Sequence, residues 1–341
     1  MDMFVHPNFP PSLSITPNEE LHHADTASSS QDAFGVEAQR DAIQKYGIAG
    51  RVWEAACALS TYVKCDGPFE FDPPFIDHQF LHQPIVAIEL GSGTGVVSAR
   101  IAQSLSSSRL RTLISTDLPD VCPLLQQNLY RSSSSGTFDK SPGGVVHVRA
   151  LSWGNFEHAM SIAEEFCLLQ SYTLTHIICS DLASAGFSQY NVIVHSSPQV
   201  YFPELFGPLL RSLIHLTSPP CTSFDAAQLV KIVISYKIRS LPKETAFWTA
   251  FGLWFSFHPV LARHVGVVDE SGPWKQLGAG DYADRTYVFV ASRRPESLSW
   301  EMPLSDKDLI EGAGARGTPS KKSDDTFETI LFMGMDDIDY S

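Results

Sequence analysis

The chain has 341 residues, 43% of them hydrophobic, which is enough for one large α/β domain with extensions or for two small domains. Its net charge is −14 and no basic run exceeds Arg293-Arg294 or Lys321-Lys322, so a nucleic-acid-binding surface is not expected beyond a local basic groove. There is no run of about 18 apolar residues and no basic segment leading into an apolar one at the start, so neither a membrane span nor a signal peptide is expected. The simplest localisation is cytoplasmic, with the nucleus open. Six cysteines (57, 65, 122, 167, 179 and 221) include no CxxC pair, and the twelve histidines show no HxxxH spacing. Neither a disulfide framework nor a metal site is expected.

Residues 1–35 are rich in Pro, Ser, Asp and His and read as a mobile arm. A helical pattern starts near Ala33, a turn follows at 46–50, and 51–63 is a helix with Val52, Ala55, Ala56 and Leu59 on one face. Residues 66–84 form a Pro- and His-containing connector. Strands are then predicted at 85–90, 112–116, 145–149, 174–179 and 230–236, each followed by a helix. The helices are predicted at 96–105, 119–130, 155–166, 202–216 and 243–255. Further strands are predicted at 258–268 and 285–292. Five β-α units imply a doubly wound, mostly parallel sheet with helices on both faces, and the Gly-rich loop before the last strand suits an antiparallel ending. The domain is therefore placed at 36–300. The tail at 301–341 reads as a linker from Ser305, within which TFETILFM (326–333) could dock.

The chemistry centres on IVAIELGSGTG (85–95), a buried strand that breaks into a Gly-rich turn before a helix. Such turns present backbone N–H groups to a ligand at the carboxyl edge of a sheet. The glycines follow GxGxG, not the dinucleotide pattern GxGxxG, and Glu89 stands two residues before the first of them. A carboxylate there repels a pyrophosphate and suits a cationic, amino-bearing ligand such as S-adenosylmethionine. Asp117 closes the next strand, where an acid can accept hydrogen bonds from both ribose hydroxyls.

The order GIAGRVWEAACAL (47–59), VAIELGSGTGVVS (86–98), STDLP (115–119), ALSWGN (150–155) resembles the family-16 seven-strand methyltransferases, mostly protein-lysine methyltransferases of non-histone proteins. The resemblance covers roughly 45–295. It implies a Rossmann-like sheet, S-adenosylmethionine as cofactor and a protein substrate. It also implies that Trp53 lies near the cofactor, that Glu89, Gly91, Ser92 and Gly93 line the methionine end, that Asp117 holds the ribose, and that Trp153 stacks on or near the adenine. Taken singly, either tryptophan could as well be a core aromatic.

The family's DxxY motif after strand four is interrupted. Asp181-Leu182 and Val200-Tyr201 would join as a clean DxxY if the 17 residues 183–199 were removed. That segment is either a lid over the site or the translation of a retained intron. The second reading is preferred, because 17 codons keep the frame and the segment has no place in the β-α alternation. The resemblance gives Asp181 the acceptor amine and Tyr201 the wall of its channel. Downstream, Lys237, Arg239 and Lys243 could meet an acidic partner surface, whereas Phe247, Trp248, Phe251 and Trp254 fall at the spacing of a buried helix face.

The sequence therefore reads as a monomeric S-adenosylmethionine-dependent methyltransferase acting on a protein lysine. The alternatives are a methyltransferase for another acceptor (a small molecule or RNA) and a cofactor-binding interaction protein without activity. An NAD-dependent oxidoreductase is disfavoured by Glu89 and by the glycine spacing.

Overall fold

A computed structural model describes residues 14–19, 32–64, 67–76, 80, 83–106, 108–132, 146–181, 203–222, 229–265, 272–278 and 286–333. Seven strands form the main sheet: β2 (Ile85–Leu90), β3 (Leu110–Asp117), β4 (Val146–Ala150), β5 (His176–Ser180), β6 (Lys231–Lys237), β7 (Phe255–Pro259) and β10 (Thr286–Arg293). Their order is β4-β3-β2-β5-β6-β10-β7. The pairs from β4 to β6 are parallel, and β10 runs antiparallel to both β6 and β7. The sheet is thus Rossmann-like, with the antiparallel last strand that the sequence implies. Chain order reverses at β2, which pairs β3 on one side and β5 on the other, and ligand crevices form at such a switch point.

The strands alternate their apolar residues between two cores, as the two-residue side-chain period requires. Ile85 and Ala87 of β2 and Val233 of β6 face one core, shared with Val52, Ala56 and Leu59 around α2 (Glu54–Tyr62) and with Val96, Val97 and Ile101 of α3 (Val96–Ser104). Val86, Ile88, Ile232 and Ile234 face the other. That core is closed by α5 (Phe156–Ile162), α6 (Phe206–Leu216) and α7 (Leu241–Trp254). Phe247, Trp248, Phe251 and Trp254 are all buried there. Helix α1 (Val36–Tyr46) packs through Ala42 and Tyr46 on Leu124 of α4 (Cys122–Ser132), and α4 lies along β3 and β4.

Three segments depart from the sequence reading. The strand predicted at 258–268 is divided between β7 and β8 (Leu261–His264). Strand β8 leaves the main sheet and pairs with β1 (Phe69–Asp72) and β9 (Lys275–Gln276) in a second, three-stranded sheet, and β1 lies in the stretch read as a connector. Residues 14–19, assigned to the mobile arm, are docked: Asn18 N–H donates to Gln39 Oε1 at 2.9 Å, and Gln39 Nε2 donates to Asn18 O at 3.0 Å. The tail read as a linker from Ser305 is packed too, and TFETILFM (326–333) docks as expected. Helix α8 (Asp306–Ile310) is tied down by Arg211 Nε to Asp306 Oδ1 at 2.8 Å. Helix α9 (Thr326–Met333) buries Phe327 completely, stacked on Trp248 with centroids 5.0 Å apart. Among the described residues no helix is long and apolar enough to cross a membrane.

Phe327→Ala is therefore expected to destabilise the whole domain by about 3–5 kcal/mol, measured by urea unfolding, since it empties a stacked site beneath α7. A loss below about 1 kcal/mol would mean that the tail is an accessory.

Candidate active site

The turn after β2 is held from three directions. Ser92 N–H donates to Thr116 O at 2.9 Å, and Gly93 N–H donates to Asp117 Oδ2 at 2.7 Å, so the turn is bonded to the end of β3. Above it lies the 3₁₀ turn Gly47–Gly50. A Cβ on Gly93, whose φ is +53°, would stand 3.3 Å from Ala49 O. On the far side a Cβ on Gly95, φ +84°, would stand 2.5 Å from Leu125 Cδ1, so both positions favour glycine by conformation, and a side chain at either would have to displace a neighbour. Asp117 is bound at both oxygens by main chain, the second through Leu118 N–H at 2.7 Å.

These elements enclose a cavity at the switch point, with about 490 Å³ of empty space including its open mouth. Gly91, Ser92, Gly93 and Thr94 form one wall, Asp117 and Ser180 stand at strand ends, and Ala49, Arg51 and Trp53 form the roof. Trp53 is fixed by donating Nε1 to Ile48 O at 3.1 Å. Trp153 does not wall the cavity. It packs with Trp53 and Ile15 on the apolar pair Ile48 and Leu205, beside the cavity roof, and the following Gly154 N–H donates to Ser212 Oγ at 2.8 Å. Glu89 also stands one layer back, fully buried, and accepts from the Ser98 hydroxyl. Of the residues expected around a cofactor, Trp53, Gly91, Ser92, Gly93 and Asp117 are brought together, with Glu89 beneath and Trp153 alongside.

With that geometry in view, the comparison with known sequences is decisive. A model of the family described as lysine methyltransferase matches residues 31–251. The chain belongs to the lysine methyltransferase family. The mouse protein named EEF1A lysine methyltransferase 3 is 32% identical over 185 residues, which are 54% of this chain and 58% of the mouse protein. The match thus spans little more than half the length of that relative. Among solved structures, a putative O-methyltransferase from Klebsiella pneumoniae aligns at 9% identity and a TM-score of 0.37, covering 81% of this chain and 95% of its own. An O-methyltransferase family protein from Burkholderia thailandensis aligns at 11% and 0.36, covering 81% and 63%.

In this member of the lysine methyltransferase family two buried acids stand at the cavity, Asp117 in its lining and Glu89 behind it, with Arg51 in the roof. Burial raises the Glu89 carboxyl to about 7, with the Ser98 hydroxyl opposing and nearby Asp117 adding to the rise. Burial likewise raises Asp117 to about 6, against the pull of the Gly93 and Leu118 amides. The Ser92 hydroxyl lies close enough to favour the Glu89 carboxylate, yet neither Ser92 Oγ nor Glu89 Oε1 completes a hydrogen bond among the described residues. Two buried acids and two unsatisfied polar atoms at one glycine turn fit a cationic, hydroxyl-bearing group and would repel a pyrophosphate.

At the end of β5, Asp181 follows Ser180 in a left-handed conformation, φ +63°, and its N–H donates to Ser235 O at 2.9 Å. Its carboxylate is held by Arg239, with Nη1 donating to Oδ1 at 2.6 Å and Nη2 donating to Oδ2. Arg239, read as a contact for an acidic partner, is thus turned inward. Residues 183–199 and Tyr201 lie outside the described residues. Arg51 and Arg239, over Trp53 at 4.8 and 5.4 Å from its centroid, are the site residues that sequence reasoning missed. Arg51 is adjacent in sequence to the Trp53 motif and was in that sense findable. Arg239 is 58 positions from Asp181, with no local pattern to join them.

Because folding raises the Glu89 pKa from 4.5 to about 7, the stability it contributes is complete below 4.5 and is lost as pH rises through 7. Glu89→Gln is expected to be roughly 2–4 kcal/mol more stable than the parent at pH 8 and equal to it at pH 4, by urea unfolding without ligand. Equal stability at both pH values would mean that Glu89 is not held in a desolvated site.

Proposed function

We propose that this protein is an S-adenosylmethionine-dependent methyltransferase whose acceptor is a lysine side chain of a non-histone protein. The observation that carries the proposal is the cavity at the β2 switch point, with Asp117 in its lining and Glu89 buried behind it, in a chain that belongs to the lysine methyltransferase family. S-adenosylmethionine, when bound, supplies a methyl carbon made electrophilic by its sulfonium. The chain's own residues bind and orient. Asp117 has lone pairs left over from its two main-chain bonds for ribose hydroxyls, and Ser92 offers a hydroxyl not yet bonded. Glu89 stands behind the end proposed for the methionine, Trp53 roofs the cavity, and Trp153, outside the lining, backs Trp53. Proximity and alignment provide most of the acceleration, with no metal and no covalent enzyme intermediate.

A lysine acceptor must arrive as the free amine. From a pKa near 10.4, deprotonation at pH 7 costs about 4.6 kcal/mol, and an apolar, aromatic channel lowers that cost. Asp181 at the end of β5 and Tyr201 are the residues proposed to face this amine. A cytoplasmic setting suits the five described cysteines, all free, and a monomer is the simplest assembly to propose. The name of the mouse relative makes elongation factor 1A the first protein substrate to try. A second reading, a cofactor-binding protein without activity, is favoured by the 17 residues that separate Asp181-Leu182 from Val200-Tyr201.

Calorimetry is expected to detect S-adenosylmethionine and no NAD binding, and Asp117→Ala is expected to weaken the former roughly 30-fold or more. NAD binding in preference would overturn the cofactor assignment. Tritiated-methyl transfer to lysate proteins, or to elongation factor 1A, is expected to rise at least about tenfold when residues 183–199 are deleted, by restoring a contiguous DxxY. Faster transfer with the segment present would make it a working lid, and no transfer by either form would favour the inactive reading.

A further inference from the structure

Arg239 stands between the cofactor cavity and the acid at the end of β5. Its main chain is pinned, because the Arg239 and Ser240 N–H groups donate to the Glu244 carboxylate at 3.3 and 3.0 Å. The same carboxylate accepts from the Tyr236 hydroxyl. From this anchored loop the guanidinium forks onto both oxygens of Asp181 and places its Cζ over the Trp53 ring, 5.4 Å from the centroid. The pair is desolvated, with side-chain exposures of 13% for Arg239 and 1% for Asp181. Trp53 is a cavity wall, and Ser180, next to Asp181, is another.

The geometry points to Arg239 as a positioning residue for methyl transfer, fixing the acceptor-side acid Asp181 with its N–H fork and the cofactor-side indole of Trp53 with the cation held over its ring. The inference rests on the methyltransferase reading above. Only a planar guanidinium can do both at once: its N–H fork matches a carboxylate in the plane, and its face remains free to stack on an aromatic ring. An ammonium at the same place keeps the charge but loses the fork and the stack. One side chain thereby sets the distance between the wall that holds the methyl donor and the group that meets the acceptor. Asp181 is also charge-balanced before any acceptor arrives, which suits a site that must receive an amine without its proton. The remaining charged groups nearby are already engaged. Glu54 on α2 accepts from Arg51 at 2.5 Å, and Glu244 is satisfied within its own loop.

The test compares Arg239→Lys, Arg239→Gln, Asp181→Asn and the double variant Asp181→Asn/Arg239→Gln. It measures thermal unfolding, S-adenosylhomocysteine affinity by calorimetry, and tritiated-methyl transfer to lysate proteins. Arg239→Lys is expected to remain folded, to bind S-adenosylhomocysteine about tenfold more weakly through the loosened Trp53, and to lose transfer about 100-fold. Either single neutral variant leaves a buried charge unpaired and unfolds at lower temperature. The double variant recovers the parent's unfolding temperature but recovers neither affinity nor transfer. Parent-like affinity or transfer in Arg239→Lys would overturn the inference. So would a double variant in which stability, affinity and transfer return together, since the pair would then be a structural tie. If the parent binds the ligand but labels no lysate protein, the affinity arm alone decides. A parent that binds no S-adenosylhomocysteine would overturn the cofactor reading, and this inference with it.

Discussion

The 2.7 Å hydrogen bond from Gly93 N–H to Asp117 joins the ends of β2 and β3, and the rest of the site is arranged around it. It forms only if the turn enters left-handed backbone space at Gly93, directly beneath Ala49 O, where a side chain would press against the roof. The same bond offsets part of the cost of burying Asp117, a group that a dry strand end would otherwise expel or protonate. Turn, roof and neighbouring strand are therefore mutually dependent. Their meeting place is the point where strand order reverses, so a gap at the carboxyl edge of the sheet follows from topology.

Charge divides the site into two unlike ends. At the glycine turn, Glu89 and Asp117 repel one another in a desolvated setting, and a bound cation would relieve both. At the end of β5, Asp181 is already matched by Arg239, whose own charge is held firmly: burial opposes it, and Asp181, with Glu54 and Glu244, outweighs the burial. In the proposed reaction a donor that carries positive charge and an acceptor that must shed it would make opposite demands, and the two ends suit them separately. Trp53, flanked by Arg51 and Arg239, is the partition between them.

How much of this the sequence discloses depends on the range of the interaction. The β2–turn–α3 unit is local, and a buried strand, spaced glycines and an acid at each strand end can be read in one window. The buried aromatic face of α7 is legible for the same reason, since its period is helical. The division of 258–268 between β7 and β8 was hidden, because β8 takes its partner from Phe69–Asp72, almost two hundred positions earlier. The tail reads as a linker by composition, its few apolar residues being diluted by Gly, Ser and Lys, yet Leu309, Ala315 and Phe327 find space beside α7. Arg239 looks like a surface cation until the fold brings Asp181 to it. Glu89 shows the converse. Its acidity was legible and its depth was not, for the side chain turns toward Ser98 of α3 and supports the cavity from behind.

The central claim is that the cavity beneath Trp53 and over the glycine turn holds S-adenosylmethionine. Ultraviolet crosslinking with the tritiated cofactor, followed by peptide mapping, tests it most directly. The account predicts label on peptides spanning 48–56 or 91–96, abolished by excess S-adenosylhomocysteine and untouched by NAD. Label confined to other peptides, or displaced by NAD and not by S-adenosylhomocysteine, would contradict it.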